Sequence, residues 1–358
     1  MDNYQTIIQV KTNAPEVLRK ELERLYSSQQ RSLVDYTDNR NDPKRPIIGV
    51  SGGVSDSYQD AEKKYRLTLK ILEILKEYGY PVFLLTKSNL VLRDIELLKE
   101  INEKAYANIC FSITQTDEET RKNYEPYSST TWERFEALKE LRREGISGGV
   151  MAMPMIPYIS DGVENMRQLV EDAKRVGSGF VLFAGMTLKP GRQKDCFLDT
   201  VRKYNPDKVA LLEEIYCQNN RYGQPDYTKV PANVMTLGHH LCRKTGVNPR
   251  SVRHRCQDEY QSNHLVLQRI LDMLFWMSYI LGYTRSSWSK LYDIAIQLEN
   301  GVPDLKQALE RDRLSDIIDS KHVEMVSDII NRGTSTEYEN IKNQVDQIAE
   351  QDYHRQIG

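Results

Sequence analysis

Cysteine is scarce in this sequence: there are five in 358 residues, Cys110, Cys196, Cys217, Cys242 and Cys256. An odd number at scattered positions argues against a disulfide framework. Long apolar runs are missing too, and none approaches the roughly 18 residues that a membrane-spanning helix requires. The opening Met1-Asp2-Asn3-Tyr4-Gln5 lacks the charged-then-apolar pattern of a secretory signal. Charge of one sign is equally absent, since 49 Lys and Arg stand against 51 Asp and Glu. Neither a membrane nor a nucleic-acid partner is therefore supported. The expectation is a cytoplasmic protein with one large core, or a core plus an appendage.

What is present is a rhythm. An apolar strand over 7–10 leads into a helix that Asn13 can cap, with Pro15 in its first turn and Glu16 three residues on. Val17, Leu18, Leu22 and Leu25 give that helix an apolar stripe, and 27–45 reads as a loop. Strands at 47–50, 82–85, 109–113, 149–153 and 180–183 then alternate with helices at 60–78, 94–104, 131–144, 163–176 and 195–204. Five such units call for a parallel sheet with right-handed crossovers, in a barrel or partial barrel rather than an open sheet. From about Asn205 the rhythm stops. Helices are expected at 211–217 and 233–245, a strongly apolar one at 264–281, and charged helical sequence over 305–348. The expected organisation is 1–46 as an entry strand, helix and loop, 47–204 as the barrel, 205–256 as a barrel-end helical segment, and 257–358 as a helical appendage. That appendage is expected either to pack its apolar helix against the open side of the barrel or to offer an oligomer or partner surface.

In a parallel barrel the loops after the strands converge on one mouth, where ligands gather. Those ends carry Ser51, Gly52, Gly53, Ser55 and Asp56, then Thr86, Lys87 and Ser88, then Ser112, Thr114 and Gln115. Pro154 and Met155 follow, and then Gly185, Met186, Thr187 and Lys189. Glycines admit close backbone approach, and an ammonium among hydroxyls suits a carboxylate- or phosphate-bearing ligand of nucleotide type. A Gly-Gly pair alone is a tight turn, Lys87 alone a solvated charge, and Ser112 alone a satisfied core hydroxyl. Their recurrence at one end of successive strands singles them out. Glu125-Pro126 with Arg134 reads equally as a helix-start ion pair or as a clamp behind the ligand. His239-His240-x-Cys242 and His254-x-Cys256 lack zinc-site spacing, so the histidines read as a helix-borne pair.

The wording of several segments is more specific. They are Gln9-Val10-Lys11-Thr12-Asn13-Ala14-Pro15, Val54-Ser55-Asp56-Ser57-Tyr58-Gln59 with Glu62, and Leu85-Thr86-Lys87-Ser88 with Leu92-Arg93-Asp94. Phe111-Ser112-Ile113-Thr114, Glu125-Pro126 with Arg134, Pro154-Met155-Ile156-Pro157 and Thr187-Leu188-Lys189-Pro190-Gly191 follow in order. Over residues 7–193 this set resembles the radical S-adenosylmethionine (SAM) proteins of the spore photoproduct lyase-like family. The resemblance implies an α/β fold, a partial (β/α)6 TIM-like barrel whose first strand is missing here, with a C-terminal helical region. It implies SAM and a [4Fe-4S] cluster at the mouth, an electron donor, and a 5′-deoxyadenosyl radical acting on a substrate the sequence does not name. It assigns SAM contacts to Ser55, Lys87 and Ser112, with Gly52, Gly53 and Asp56 in the same cofactor-binding set.

The resemblance also requires three cysteines spaced C-x3-C-x2-C on one loop. No cysteine here has that spacing, and the loop is expected upstream of Met1. Three readings stand open: a truncated start, a separate polypeptide that carries the cluster, or a degenerate barrel acting as a binding or scaffold protein through its C-terminal helices. As written, the chain is not expected to assemble the usual cluster. Repair of DNA photoproducts is not carried over from the resemblance.

Overall fold

The computed structural model describes residues 9–28, 47–50, 55–218, 220–231, 234–249 and 251, with isolated positions at 340, 343 and 347. The chain divides into two compact units, 1–254 and 255–358. Gly52, Gly53, nearly all of the expected appendage and most of the expected 27–45 loop lie outside the described residues. Of the expected entry strand only Gln9 and Val10 are described, and neither is in a strand.

Among the described residues, five strands form one sheet: β1 (Ile48–Gly49), β2 (Val82–Thr86), β3 (Ala107–Ser112), β4 (Val150–Met155) and β5 (Val181–Gly185). Their order is β1-β2-β3-β4-β5, and every neighbouring pair is parallel. A strand order that never reverses is that of a barrel wall, whereas a doubly wound sheet contains a switch point. The fold is thus an α/β partial barrel. β3 is buried at all of its residues, as suits an apolar strand covered on both faces.

The helices are α1 (Ala14–Ser28), α2 (Asp60–Tyr65), α3 (Leu67–Glu77), α4 (Ile95–Lys104), α5 (Glu118–Tyr124), α6 (Thr131–Arg143), α7 (Val163–Arg175), α8 (Arg192–Tyr204), α9 (Val209–Ile215) and α10 (Val234–Thr245). Leu72 and Leu75 of α3, Leu98 of α4, Phe135 and Leu138 of α6 and Met166 and Leu169 of α7 are buried with Leu84, Ile109 and Phe111 of the sheet. Each such side chain contributes about 1.5–3 kcal/mol of burial free energy. Beyond β5, α10 packs on β5 and α7. The Val181 N–H donates to Asn248 O at 2.9 Å, so the chain leaving α10 passes the start of β5.

Three elements differ from the sequence expectation. The helix expected over 60–78 breaks at Arg66, whose backbone is left-handed (φ 51°, ψ 42°). The cause is Glu62: its carboxylate accepts the N–H groups of Thr68 (2.9 Å) and Leu69 (3.2 Å), satisfying orphan donors at the start of α3. α5 was not expected, because its sequence has a capping Asp117, accepting from Thr120 N–H at 2.7 Å, but no apolar stripe. In α1, Leu22 is buried as the stripe predicts, but Val17 is half exposed. Instead Arg19 fastens α1 to the end of α3 by a bidentate pair with Glu77 (2.8 and 2.7 Å).

Candidate functional site at the C-terminal ends of the strands

The exit of β1 is built around Asp56. Its Oδ1 accepts the Tyr58 N–H (2.8 Å) and the Thr86 hydroxyl (2.7 Å), and its Oδ2 accepts the Lys87 N–H (2.6 Å). Asp56 therefore ties the exit of β1 to the exit of β2. Ser57 adds a bond from its hydroxyl to Val50 O (3.0 Å), and Ser55 beside it is exposed.

Below this loop lies a buried network. The Tyr58 hydroxyl donates to Asp94 Oδ2 (3.0 Å), and the Arg93 guanidinium bridges Asp94 (2.7 Å from both Nε and Nη2) and Glu62 Oε1 (2.7 Å). Burial, with the neighbouring Asp94 carboxylate, pushes the Tyr58 hydroxyl well above the usual phenol range.

At the exit of β2, the Lys87 ammonium donates to Glu125 Oε1 at 2.6 Å. The other Glu125 oxygen meets Arg134 Nη1 at 2.9 Å. Arg134, only 1% exposed, also donates to Ser112 O (2.6 Å), Ser129 O (3.0 Å) and the Ser128 hydroxyl (3.2 Å). Burial raises the Glu125 carboxyl, but Lys87 and Arg134 outweigh it and hold the group below its ordinary range. Burial lowers the Arg134 guanidinium, and Glu125 only partly offsets that.

The exits of β3 and β4 are stapled together by Asn165 of α7. Its amide nitrogen donates to Thr114 O (2.9 Å) and Ser160 O (2.7 Å), and its oxygen accepts from the N–H and hydroxyl of Thr116 (2.9 and 3.0 Å). Ser112 is buried, and its hydroxyl donates to Met153 O at 2.8 Å, tying β3 to β4. In the β4 exit loop Asp161 is 4% exposed, and its Oδ2 has no hydrogen-bond partner among the described residues. Burial pushes its pKa up to about 6. After β5, Gly185, Thr187 and Lys189 are exposed and Met186 is buried.

Of the residues singled out from sequence, Asp56 and Lys87 are thus joined directly, and Lys87 and Ser112 are joined through Glu125 and Arg134. Asp56 and Ser112 spend their polar atoms on the loops themselves, while Ser55 and the Lys87 ammonium are left accessible. Sequence reasoning did not single out Asn165 or Asp161. Asp161 lies in an ordinary-looking stretch before a helix, and Asn165 in that helix's first turn, where a short polar residue reads as routine capping.

An iron–sulfur cluster finds no fitting ligands here: no group of three or more His, Cys, Asp or Glu side chains able to hold a metal occurs among the described residues. Burial raises the thiols of Cys110 and Cys242 to about 12, and the Cys242 thiol donates to Val181 O at 3.6 Å. Cys196 and Cys217 are exposed on α8 and just after α9. The Lys87 side chain stands at the mouth on a fixed backbone, with its ammonium paired to Glu125.

The radical SAM superfamily pattern matches residues 13–173. An uncharacterised protein of Mycobacterium tuberculosis is 28% identical over 228 residues, covering 64% of this chain and 62% of that protein. A radical SAM Nα-GlyT isomerase of Pseudomonas phage M6 is 24% identical over 203 residues, covering 56% of this chain and 39% of that protein. A spore photoproduct lyase mutant of known structure aligns over 52% of this chain and 51% of its own, at 17% identity and a TM-score of 0.34. The chain spans less than two thirds of the length of these relatives. The segment that matches the radical SAM superfamily pattern, residues 13–173, is the one that carries the mouth from α1 to α7.

Proposed function

We propose that this chain is the SAM-binding body of a radical SAM enzyme similar to spore photoproduct lyase, acting on a substrate whose identity the site does not specify. In the family, SAM supplies a 5′-deoxyadenosyl group on reductive cleavage, with the electron drawn from a separate donor. The observation that carries the reading is Lys87, its side chain 36% exposed just after β2 and held at both its backbone and its tip. In this proposal Lys87 meets the carboxylate end of SAM, and Ser55 and the Gly52-Gly53 pair approach the rest of the ligand. Asp56 and Ser112 keep those loops in place. The thiolates for the cluster come from outside these 358 residues, because the five cysteines lack the spacing and the described ones lack the setting.

Titration calorimetry of SAM into the purified chain tests the cofactor assignment. Saturable binding that weakens at least tenfold in Lys87→Ala supports it, and no binding at millimolar SAM overturns it. Anaerobic reconstitution, read by iron and sulfide content, tests the origin of the thiolates. A stoichiometric four-iron cluster on this chain alone would overturn that part.

A further inference from the structure

Glu125 and Arg134 are costly to place where they are. Glu125 is 12% exposed by its side chain and Arg134 1%, and buried ion pairs rarely return more stability than their desolvation costs. Nor does α6 require them for its start. Thr130 and Glu133 already form a complete capping box there, with Thr130 N–H to Glu133 at 2.8 Å and Glu133 N–H to the Thr130 hydroxyl at 3.2 Å. Besides the loop atoms that Arg134 holds and the Ser128 hydroxyl, the pair connects to Lys87. The Lys87 backbone is held from two sides, its N–H by Asp56 (2.6 Å) and its O by Ser129 N–H (3.1 Å). Its ammonium donates one N–H to Glu125 and has no other partner among the described residues, leaving two N–H groups for a ligand. Arg134 in turn grips Ser128, Ser129 and Ser112, so Glu125 is anchored to the walls of β2 and β3 at once.

We propose that Glu125, braced by Arg134, is a positioning residue that aims the Lys87 ammonium, and thereby sets the site's preference for a ligand bearing a carboxylate over the same ligand without one. This rests on the assignment of Lys87 to the carboxylate end of SAM. Glu125 itself touches no ligand; it removes the rotamer freedom that a half-exposed lysine otherwise loses on binding. Pre-organising one such side chain corresponds to roughly two- to tenfold in affinity.

The test compares two probes, SAM and 5′-methylthioadenosine, which shares the nucleoside and sulfur but lacks the amino-acid end. Dissociation constants are measured for the full chain, Glu125→Gln, Lys87→Met and the double variant. The expected result is a five- to tenfold loss of SAM affinity in Glu125→Gln with methylthioadenosine unchanged. Glu125→Gln should also have no further effect in the Lys87→Met background. A loss equal for both probes would mean a general structural role and overturn the proposal, as would an unchanged SAM-to-methylthioadenosine ratio. Should Glu125→Gln fail to fold, Glu125→Asp is the substitute: it keeps the charge, shortens the reach and is expected to lose part of the same ratio. Wild-type protein that binds neither probe overturns the cofactor assignment instead. Wild type that binds both, with the ratio untouched by either carboxylate variant, overturns the positioning role alone.

Discussion

Asp56 Oδ2 accepts the backbone N–H of Lys87 at 2.6 Å, so the first loop of the mouth holds the second by its main chain. The same carboxylate takes the Thr86 hydroxyl and the Tyr58 N–H. Loops are usually the mobile part of a barrel. Here a single side chain, at a position that reads as ligand-binding, fixes two of them relative to one another. Two acidic groups thus hold Lys87, Asp56 at its backbone and Glu125 at its tip.

Asp56→Ala is expected to cost about 2 kcal/mol, the scale of losing charge-assisted hydrogen bonds at a partly buried carboxylate. The denaturant midpoint should fall with an unchanged slope. Hydrogen exchange should accelerate at the Lys87 and Tyr58 amides before it does in β3. Exchange rates that change equally throughout the sheet would show that Asp56 does not act locally.

Tyr58 and Glu62 meet through Arg93 and Asp94, and that coupling is measurable. Tyr58→Phe removes one buried bond to Asp94 and is expected to cost about 1 kcal/mol. Glu62→Gln removes the charge facing Arg93 and weakens the cap on α3, for about 3 kcal/mol. The double variant should depart from additivity by at least about 0.5 kcal/mol, as residues in one network do. Strict additivity in urea titrations would show two independent contacts.

The five strands and their crossovers were legible because each apolar run is short, bounded by turn residues and followed by an amphipathic stretch. The exit residues could be named from strand order alone. What the pattern could not show was direction. Asp56 and Ser112 lie where ligand contacts are expected, yet their polar atoms bind neighbouring loops. The break at Arg66 was hidden because Glu62 caps α3 from within the preceding helix, leaving the apolar period continuous across it. Glu125 and Arg134 were visible as a pair. Their tie to Lys87 depends on the fold bringing residues 38 apart in sequence to 2.6 Å.

Asp161 gives a pH signature. Its folded pKa, about 6, lies above its ordinary value of 3.8, so the folded state binds its proton more tightly than the unfolded chain does. The stability it contributes is full below about pH 4 and is lost as pH rises through about 6, up to about 3 kcal/mol in all. Asp161→Asn cannot ionise and should not show this loss. The stability difference between variant and wild type, from urea midpoints at pH 4, 5, 6, 7 and 8, should shift in the variant's favour between pH 4 and 7 and level off above. A difference that stays flat across that range would mean the carboxyl is solvated or paired in solution.

Gly223 tests how the segment after β5 is held. Its backbone sits at φ +66°, where a side chain is strained, and its O accepts the Leu188 N–H at 2.7 Å. A Cβ there would stand 2.3 Å from both Leu188 C and Lys189 N, backbone atoms that cannot swing aside. Gly223→Ala must therefore push the 220–224 turn off the Leu188–Lys189 backbone, at an expected cost of about 2 kcal/mol. That displacement releases the chain beside the cluster of Met186, Leu188, Leu198, Leu212 and Tyr216, while β1 to β4 lie elsewhere in the sheet. Hydrogen exchange should accordingly rise at Leu188 and in α9 with little change in β2 and β3. SAM affinity should change less than in Lys87→Ala. Uniform loss of protection would show that the post-β5 segment and the sheet unfold as one unit, and that the mouth depends on both.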